Sequence, residues 1–183
     1  MLTANEILKQ IKLGNIGIDP FDINCLNPNS YNVHLADEII QYDKHIVLDM
    51  KQKDNRYTKK IIPESGLTLY PNTLYIGSIK ETVSSDKFIS AIDGRSSIGR
   101  LGMQVHLTAG FGDIGFSGKY TLEITVVVPL IVYPNFEVAQ VYFEKPDGEV
   151  DFLYHGRYQN QEGPTTSKSF ARTDSYNGYH YNK

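Results

Sequence analysis

Short apolar runs of strand length fill most of this chain from residue 16 onward, and each is bounded by Pro, Gly, Asn or Asp. A β-strand needs only about four to eight residues, whereas an amphipathic helix needs at least about ten. The runs that predict strands lie at 31–35, 39–42, 46–50, 67–70, 74–79, 88–92, 104–108, 119–128 and 138–143. This spacing, with 13 Tyr and 8 Phe in 183 residues, predicts one compact, mainly β domain of sandwich or barrel type.

Three segments depart from the strand pattern. Thr3 can cap a helix that runs to about Leu13 and ends at Gly14. Residues 95–102 lack alternation and predict a short helical turn. The chain from residue 156 onward is polar and poor in aliphatic side chains, which is typical of a tail that docks on a surface or stays mobile.

Charge and composition exclude several classes of protein. A net charge of -3 and a pI near 5.9 argue against a protein that coats a nucleic acid polymer. The single cysteine, Cys25, excludes an intrachain disulfide. No run approaches the roughly 18 apolar residues of a membrane span. We therefore expect a cytoplasmic protein that is neither exported nor embedded in a membrane.

The common catalytic motifs are also missing. A zinc-dependent nucleobase deaminase needs His-x-Glu and Pro-Cys-x-x-Cys, but the chain has one cysteine, and no histidine is followed two positions later by Glu. A Walker A loop, a Gly-x-Ser-x-Gly elbow and a His-Glu-x-x-His helix are absent as well. The chemistry must come from another set of residues.

The predicted helical turn is the first polar feature of interest. Helical spacing puts Ser96 and Arg100 on one face, and Arg95 precedes them. Two arginines beside free backbone N–H groups could hold a phosphate chain. A plain surface turn with two solvated arginines explains these residues equally well.

The second feature is Glu123, in the middle of an apolar strand. Strict alternation puts Leu122 and Ile124 on one face and Thr121, Glu123 and Thr125 on the other. Taken alone, the strand favours an ordinary solvated carboxylate, because burial of an unpaired charge is costly.

The third feature is the glycine-rich segment 108–118, in which Asp113 is the one acid. Four glycines in eleven residues predict a hairpin with unusual backbone angles that can approach a flat ligand closely. A simple glycine-rich hairpin is the plain alternative.

Together and in this order, the three features resemble the dCTP deaminase family of the trimeric dUTPase-like superfamily. The resemblance extends through 27–31, 62–71, 139–140 and 158–165. It implies a dUTPase-like distorted β-barrel or jelly roll with a short N-terminal helix and a few helical turns. It also implies a single domain over 1–168, with 156–168 as a C-terminal lid and 169–183 as a polar tail of unknown role.

By the same resemblance, Glu123 is the general base for attack of water on cytosine C4, and Ser96 and Arg100 hold the water and the carboxylate. The substrate-binding residues would be Arg95, Ser97, Ala109, Asp113, Thr121, Leu122, Gln140, Tyr154, Arg157 and Gln161. The resemblance also implies Mg²⁺ on the nucleotide triphosphate, with no metal on the protein and no zinc, and a homotrimer with shared active sites.

The expected reaction converts dCTP to dUTP and ammonia, with dTTP as a candidate inhibitor. The alternative is a bifunctional enzyme that also cleaves the triphosphate to give dUMP and pyrophosphate, since Gly110 and Phe111 look like the pair found in bifunctional members. More distant alternatives are a dUTPase and a nucleotide-sensing binding module. The chain departs from the family pattern at Asn32, where Asp is usual, at residues 112–114, where Ile-Asp-Pro is usual, and at Val126, where Asn is frequent.

Overall fold

The computed structural model describes residues 1–53 and 55–171, which form a mainly β domain. Its helical elements are α1 (Ala4–Lys12), the 3-10 turn η1 (Ile23–Cys25) and α2 (Ser96–Gly99). Its strands are β1 (Ile16–Asp19), β2 (Tyr31–His34), β3 (Glu38–Tyr42), β4 (Tyr57–Ile61), β5 (Leu67–Leu69), β6 (Tyr75–Ser78), β7 (Thr82–Ser85), β8 (Ile89–Gly94), β9 (Met103–Gln104), β10 (Phe111–Gly112), β11 (Ser117–Gly118), β12 (Thr121–Val126), β13 (Leu130–Val132) and β14 (Glu137–Glu144). The predicted mainly β fold with a short N-terminal helix is confirmed.

Four antiparallel sheets surround one hydrophobic core. The strand orders are β1-β7-β11, β10-β8-β14-β2, β4-β3-β6-β12-β9 and β13-β5. Many neighbours in the sheets are distant in the chain, so most contacts are long-range, as in jelly rolls and Greek-key folds. Two of these sheets carry the site: β8 leads into α2, and β12 carries Glu123.

Alternation explains the core. Along β12, Leu122, Ile124 and Val126 are buried while the intervening residues are partly exposed, so the strand presents one apolar and one polar face. At the N-terminus, Ile7 anchors α1 in the core. Thr3 occupies the N-cap position as predicted, although its hydroxyl makes no capping hydrogen bond.

The strand predicted at 46–50 is wrong. Val47 is 88% exposed and Met50 is 78% exposed, and the segment is a loop in which the Asn55 side chain bonds the backbone of Asp49. The adjacent strand β4 was missed because all five of its side chains are exposed and give no apolar signal. It forms by pairing with β3, where Lys59 Nζ donates to Glu38 Oε2 at 2.8 Å.

Other strand boundaries also moved. The short strands β1 and β7 pair with each other and were missed; β7 has the polar sequence Thr-Val-Ser-Ser. Of the run 104–108, only Gln104 lies in a strand, at the end of β9. The hairpin predicted over 108–118 is wrong, since β10 pairs with β8 and β11 pairs with β7. Beyond residue 171 the predicted tail lies outside the described residues.

No helix within the described ranges is long and apolar enough to cross a membrane.

Candidate active site

An open cleft with a volume of about 670 Å³ lies beside the α2 turn. Four predicted site residues, namely Arg95, Ser96, Ser97 and Gln140, line it. The other lining residues are Asn27, Asn32, Asp93, Gly94, Gly99, Met103, Gln104, Val105, His106 and Leu107. The cleft is therefore lined mainly by polar groups, as a site for a charged nucleotide requires.

The α2 turn holds its polar residues at the cleft by burying one apolar side chain. Strand β8 ends at Gly94, Arg95 stays extended with φ -82° and ψ 142°, and Ile98 is buried. Arg95 O accepts hydrogen bonds from the N–H groups of Ile98 and Gly99 at 3.0 and 2.9 Å. The predicted short helical turn is confirmed, with the side chains of Ser96 and Ser97 at the cleft.

Arg95 is positioned by Glu137. Its Nη1 forms an ion pair with Glu137 Oε2 and donates to the Glu137 carbonyl oxygen at 3.2 Å. Asn32 Nδ2 donates to the same carboxylate oxygen at 3.1 Å, and Asn27 Nδ2 donates to Asn32 Oδ1 at 2.7 Å. The amide at position 32 thus fits its surroundings, because an aspartate there would place a second carboxylate against Glu137.

Gln140, three residues after Glu137 on β14, is held in a similar way. Its Oε1 accepts a hydrogen bond from Ser30 Oγ at 3.0 Å. A primary amide has two N–H donors besides its oxygen, so the Gln140 amide nitrogen can serve an anionic ligand in the cleft.

Glu123, on β12, is not among the described residues that line the cleft, but it contacts one of them. Its Oε2 accepts a hydrogen bond from the backbone N–H of Leu107 at 3.1 Å, and Leu107 lines the cleft. Two residues along the same face, Thr125 Oγ1 donates to Gln104 Oε1 at 3.2 Å. The predicted polar face of this strand is confirmed, with the carboxylate fixed by a main-chain donor.

Within the described chain, no hydrogen bond or ion pair joins Ser96 or Arg100 to Glu123. Arg100 Nη1 instead donates to the Ser96 carbonyl oxygen at 3.4 Å. Leu122 is completely buried, because the alternation that partly exposes Glu123 turns the Leu122 side chain into the core. Only its backbone is left to contact a ligand.

Close packing against Tyr120 and Ser90 explains the glycine at position 112 of the glycine-rich segment. A Cβ on Gly112 would lie 2.0 Å from Tyr120 Oη and 3.0 Å from Ser90 Oγ. Those two hydroxyls share a 2.6 Å hydrogen bond, and burial raises the pKa of Tyr120 to about 12. A side chain at position 112 would therefore have to displace the buried Tyr120 hydroxyl, which favours glycine there.

Position 110 adjoins the cleft. A Cβ on Gly110 would lie 3.0 Å from Ile92 O and 3.2 Å from the His106 ring. Ala109 precedes this close approach, and Phe111, which follows it, is 66% exposed. Any larger residue at 110 would therefore move the His106 ring, which lines the cleft.

Residues 153–168, here called the C-terminal segment, dock on the other end of the glycine-rich segment. Tyr154 N donates to Ile114 O at 2.7 Å. Gln159 Nε2 donates to Gly115 O at 2.7 Å, and Gln159 Oε1 accepts from Ser117 N at 3.0 Å. The segment is thus fixed to its own chain by main-chain and side-chain hydrogen bonds.

The predicted substrate-binding side chains of this segment, and that of Thr121, already form hydrogen bonds within the chain. Gln161 Nε2 donates to Lys119 O at 2.7 Å, and Arg157 Nη1 donates to Lys168 O at 2.6 Å. Thr121 Oγ1 accepts from Thr165 N at 3.3 Å. In the described part of the chain, Thr121, Arg157 and Gln161 do not line the cleft. The same is true of Asp113 and Tyr154.

Comparison with known proteins decides the family. The model of the family described as dCTP deaminase-like matches residues 1–146. The chain belongs to the dCTP deaminase-like family.

Named relatives support the assignment over nearly the whole chain. The chain is 50% identical over 163 residues to "dCTP deaminase, dUMP-forming" of Clostridium beijerinckii, which covers 89% of this chain and 92% of that protein. It is 46% identical over 170 residues to the protein of the same name from Hathewaya histolytica, covering 93% and 97%.

One solved structure shares the fold. The 2'-deoxycytidine 5'-triphosphate deaminase from Agrobacterium tumefaciens matches with a TM-score of 0.62 at 17% identity over 79% of this chain. The chain spans about half of that longer chain, 47% of its length. At this identity the likeness concerns the fold.

The structure adds cleft residues that were not among the predicted site residues. Asn27, Asn32 and His106 line the cleft, and His106 Nε2 lies 3.5 Å from Asp93 Oδ1. His106 Nδ1 is buried and has no hydrogen-bond partner among the described residues. The signal available for His106 was its place two residues before Thr108 in the glycine-rich motif of the dCTP deaminase-like family.

Proposed function

We propose that this chain is a bifunctional dCTP deaminase that forms dUMP. The proposal rests on Glu123, whose carboxylate is held by a main-chain N–H at the edge of a polar, arginine-bearing cleft. The relatives at 46–50% identity carry the name "dCTP deaminase, dUMP-forming", which favours dUMP over the dUTP expected from the motifs as the final product.

In the proposed reaction, Glu123 takes a proton from a water molecule that attacks C4 of cytosine. The carboxyl group then delivers that proton to N3. It next transfers the proton of the new C4 hydroxyl to the amino group, and the C4–N bond breaks to release ammonia and leave the uracil carbonyl. The Leu107 N–H fixes one carboxylate oxygen, so the other oxygen is available for proton transfer. A second water cleaves the bond between the α- and β-phosphates, giving dUMP and pyrophosphate.

The cleft supplies the groups for an anionic substrate. Arg95 presents a guanidinium that Glu137 orients from behind, and Gln140 presents an amide that Ser30 orients. Preorganised donors of this kind bind phosphate without rearrangement. Mg²⁺ bound to the triphosphate would neutralise further charge and make the leaving pyrophosphate a weaker base.

A homotrimer with shared sites is part of the proposal. Within the described residues of one chain, Tyr154, Arg157 and Gln161 of the C-terminal segment do not line the cleft. A complete site would therefore need a neighbouring subunit to bring these residues to a cleft. Apolar side chains more than half exposed can form the interface, and they include Leu107, Phe111, Val127, Val128, Ile131 and Phe136. A solution mass of three times 20.7 kDa is expected, and a stable monomer with full activity would refute the shared site.

The deciding experiment is product analysis after incubation with dCTP and Mg²⁺. We expect ammonia, dUMP and pyrophosphate in equal amounts. Accumulation of dUTP with ammonia would restrict the activity to deamination. Pyrophosphate from dUTP without ammonia from dCTP would indicate a dUTPase, and nucleotide binding without either product would indicate a sensing module.

A further inference from the structure

Three metal-ligand side chains converge behind Arg95. Three ligand atoms lie within 4.8 Å of one another, one each from Cys25, His34 and Glu137. Among them, Cys25 Sγ is 4.0 Å from Glu137 Oε1. His34 and Glu137 face each other across β2 and β14, while Cys25 ends the η1 turn. The fold thus brings a thiol and an imidazole from one part of the chain together with a carboxylate from a distant strand.

A fourth residue orients the histidine. Glu81 is 2% exposed, its Oε1 lies 2.5 Å from His34 Nδ1, and its Oε2 accepts from the His34 backbone N–H at 3.0 Å. This contact places the ring proton on Nδ1 and leaves the Nε2 lone pair to bind a cation. A carboxylate behind the histidine is the usual outer shell of a protein zinc ligand.

The charge balance around the thiol also favours a cation. Arg95 neutralises the Oε2 side of Glu137, but Oε1 faces the thiol. A divalent ion at this point would stabilise a thiolate and the carboxylate together.

We propose that Cys25, His34 and Glu137 form a Zn²⁺ site, with water in the fourth position. Sulfur, imidazole nitrogen and carboxylate oxygen are all zinc ligands, and three protein ligands with one open position are a common set. Binding requires the ligand atoms to close to zinc bonding distance, and the thiol releases its proton to solvent. The site lies outside the proposed deamination, which needs no protein-bound metal.

Cobalt spectroscopy of the full, metal-free protein tests the proposal directly. Cys25 is the only cysteine in the chain, so a thiolate-to-Co²⁺ charge-transfer band must come from this residue. We expect the band to saturate at one Co²⁺ per chain and to disappear when one equivalent of Zn²⁺ is added. Co²⁺ that binds without this band sits on surface histidines or carboxylates and would overturn the proposal.

Three variants refine the result by Zn²⁺ titration calorimetry. Glu81→Gln should lower the affinity about 10- to 100-fold at unchanged stoichiometry, and His34→Gln should lower it further. His155→Gln changes an exposed histidine and should bind like the wild type. Unchanged affinity in a folded His34→Gln protein would refute the site; if that variant fails to fold, the wild-type cobalt band decides. Zn²⁺ binding and dCTP turnover are measured separately, so either proposal can fail alone.

Discussion

The cleft and the C-terminal segment present their predicted ligand groups in opposite ways. In the cleft, side chains such as Arg95 and Gln140 are held from behind by Glu137 and Ser30 and face open space. In the C-terminal segment, groups such as Gln161 already bond the chain's own backbone. The first arrangement is ready for a ligand, whereas the second must exchange an internal partner for a ligand.

This contrast shows how a shared site can be built from one chain. A cleft that keeps its donors oriented binds without reorganisation. In the proposed trimer, a segment anchored to its own β-strands would reach a neighbouring subunit with its conformation already fixed, which would reduce the entropy lost on binding. The following experiments separate the contributions of the two regions.

The largest effect is expected at Glu123, the proposed general base. Glu123→Gln keeps the acceptor for the Leu107 N–H but removes the proton acceptor, so ammonia release from dCTP should fall by about 10²- to 10⁴-fold, with nucleotide binding retained. Thr125→Val, on the same strand face, is the matched control and should stay within about twofold of wild type. Surviving ammonia release in Glu123→Gln would sink the proposed mechanism.

Arg95→Ala should raise the KM for dCTP about 10- to 100-fold, because a charge-assisted hydrogen bond to phosphate is lost. The free energy of unfolding should change by less than about 1 kcal/mol, since the Arg95–Glu137 pair is partly exposed. Arg56→Ala removes an exposed arginine paired with Asp43 and controls for long-range charge. An equal rise of KM in both variants would contradict a specific role for Arg95.

At the junction of the two regions, Gly112→Ala should destabilise the protein by about 1–3 kcal/mol through overpacking. The new Cβ would meet Tyr120 Oη at 2.0 Å, so adding Tyr120→Phe should cost less in the Gly112→Ala background than in wild type. Urea unfolding of all four proteins measures this coupling, expected at about 1 kcal/mol. Strict additivity would mean that the loop moves away from Tyr120.

The smallest effect is expected for the anchor of the C-terminal segment. Gln159→Ala removes side-chain hydrogen bonds to Gly115 and Ser117, which should ease local opening by about 1 kcal/mol. Amide hydrogen exchange over 153–168 should accelerate several-fold while exchange in the core strands stays constant. Glu162→Gln, an exposed neighbour, serves as control. Equal acceleration in both variants would show that Gln159 does not hold the segment.

The deaminase pattern was recognisable from the sequence because it depends on local order. Alternation correctly put Glu123 on the polar face of β12, and the break in alternation correctly gave the α2 turn. The same local reasoning failed for 46–50, where apolar side chains such as Val47 stay exposed. It also failed for β4, where polar side chains such as Lys59 bond to β3.

What the sequence determined by itself was the mainly β class, the α2 turn, the polar face with Glu123 and the family. Only the tertiary structure decided that Glu137 orients Arg95, that Tyr120 favours glycine at 112, and that Cys25, His34 and Glu137 meet. Glu137 meets Arg95 and His34 through long-range pairing of β14 with β8 and β2, and local periodicity carries no record of which distant strands become neighbours.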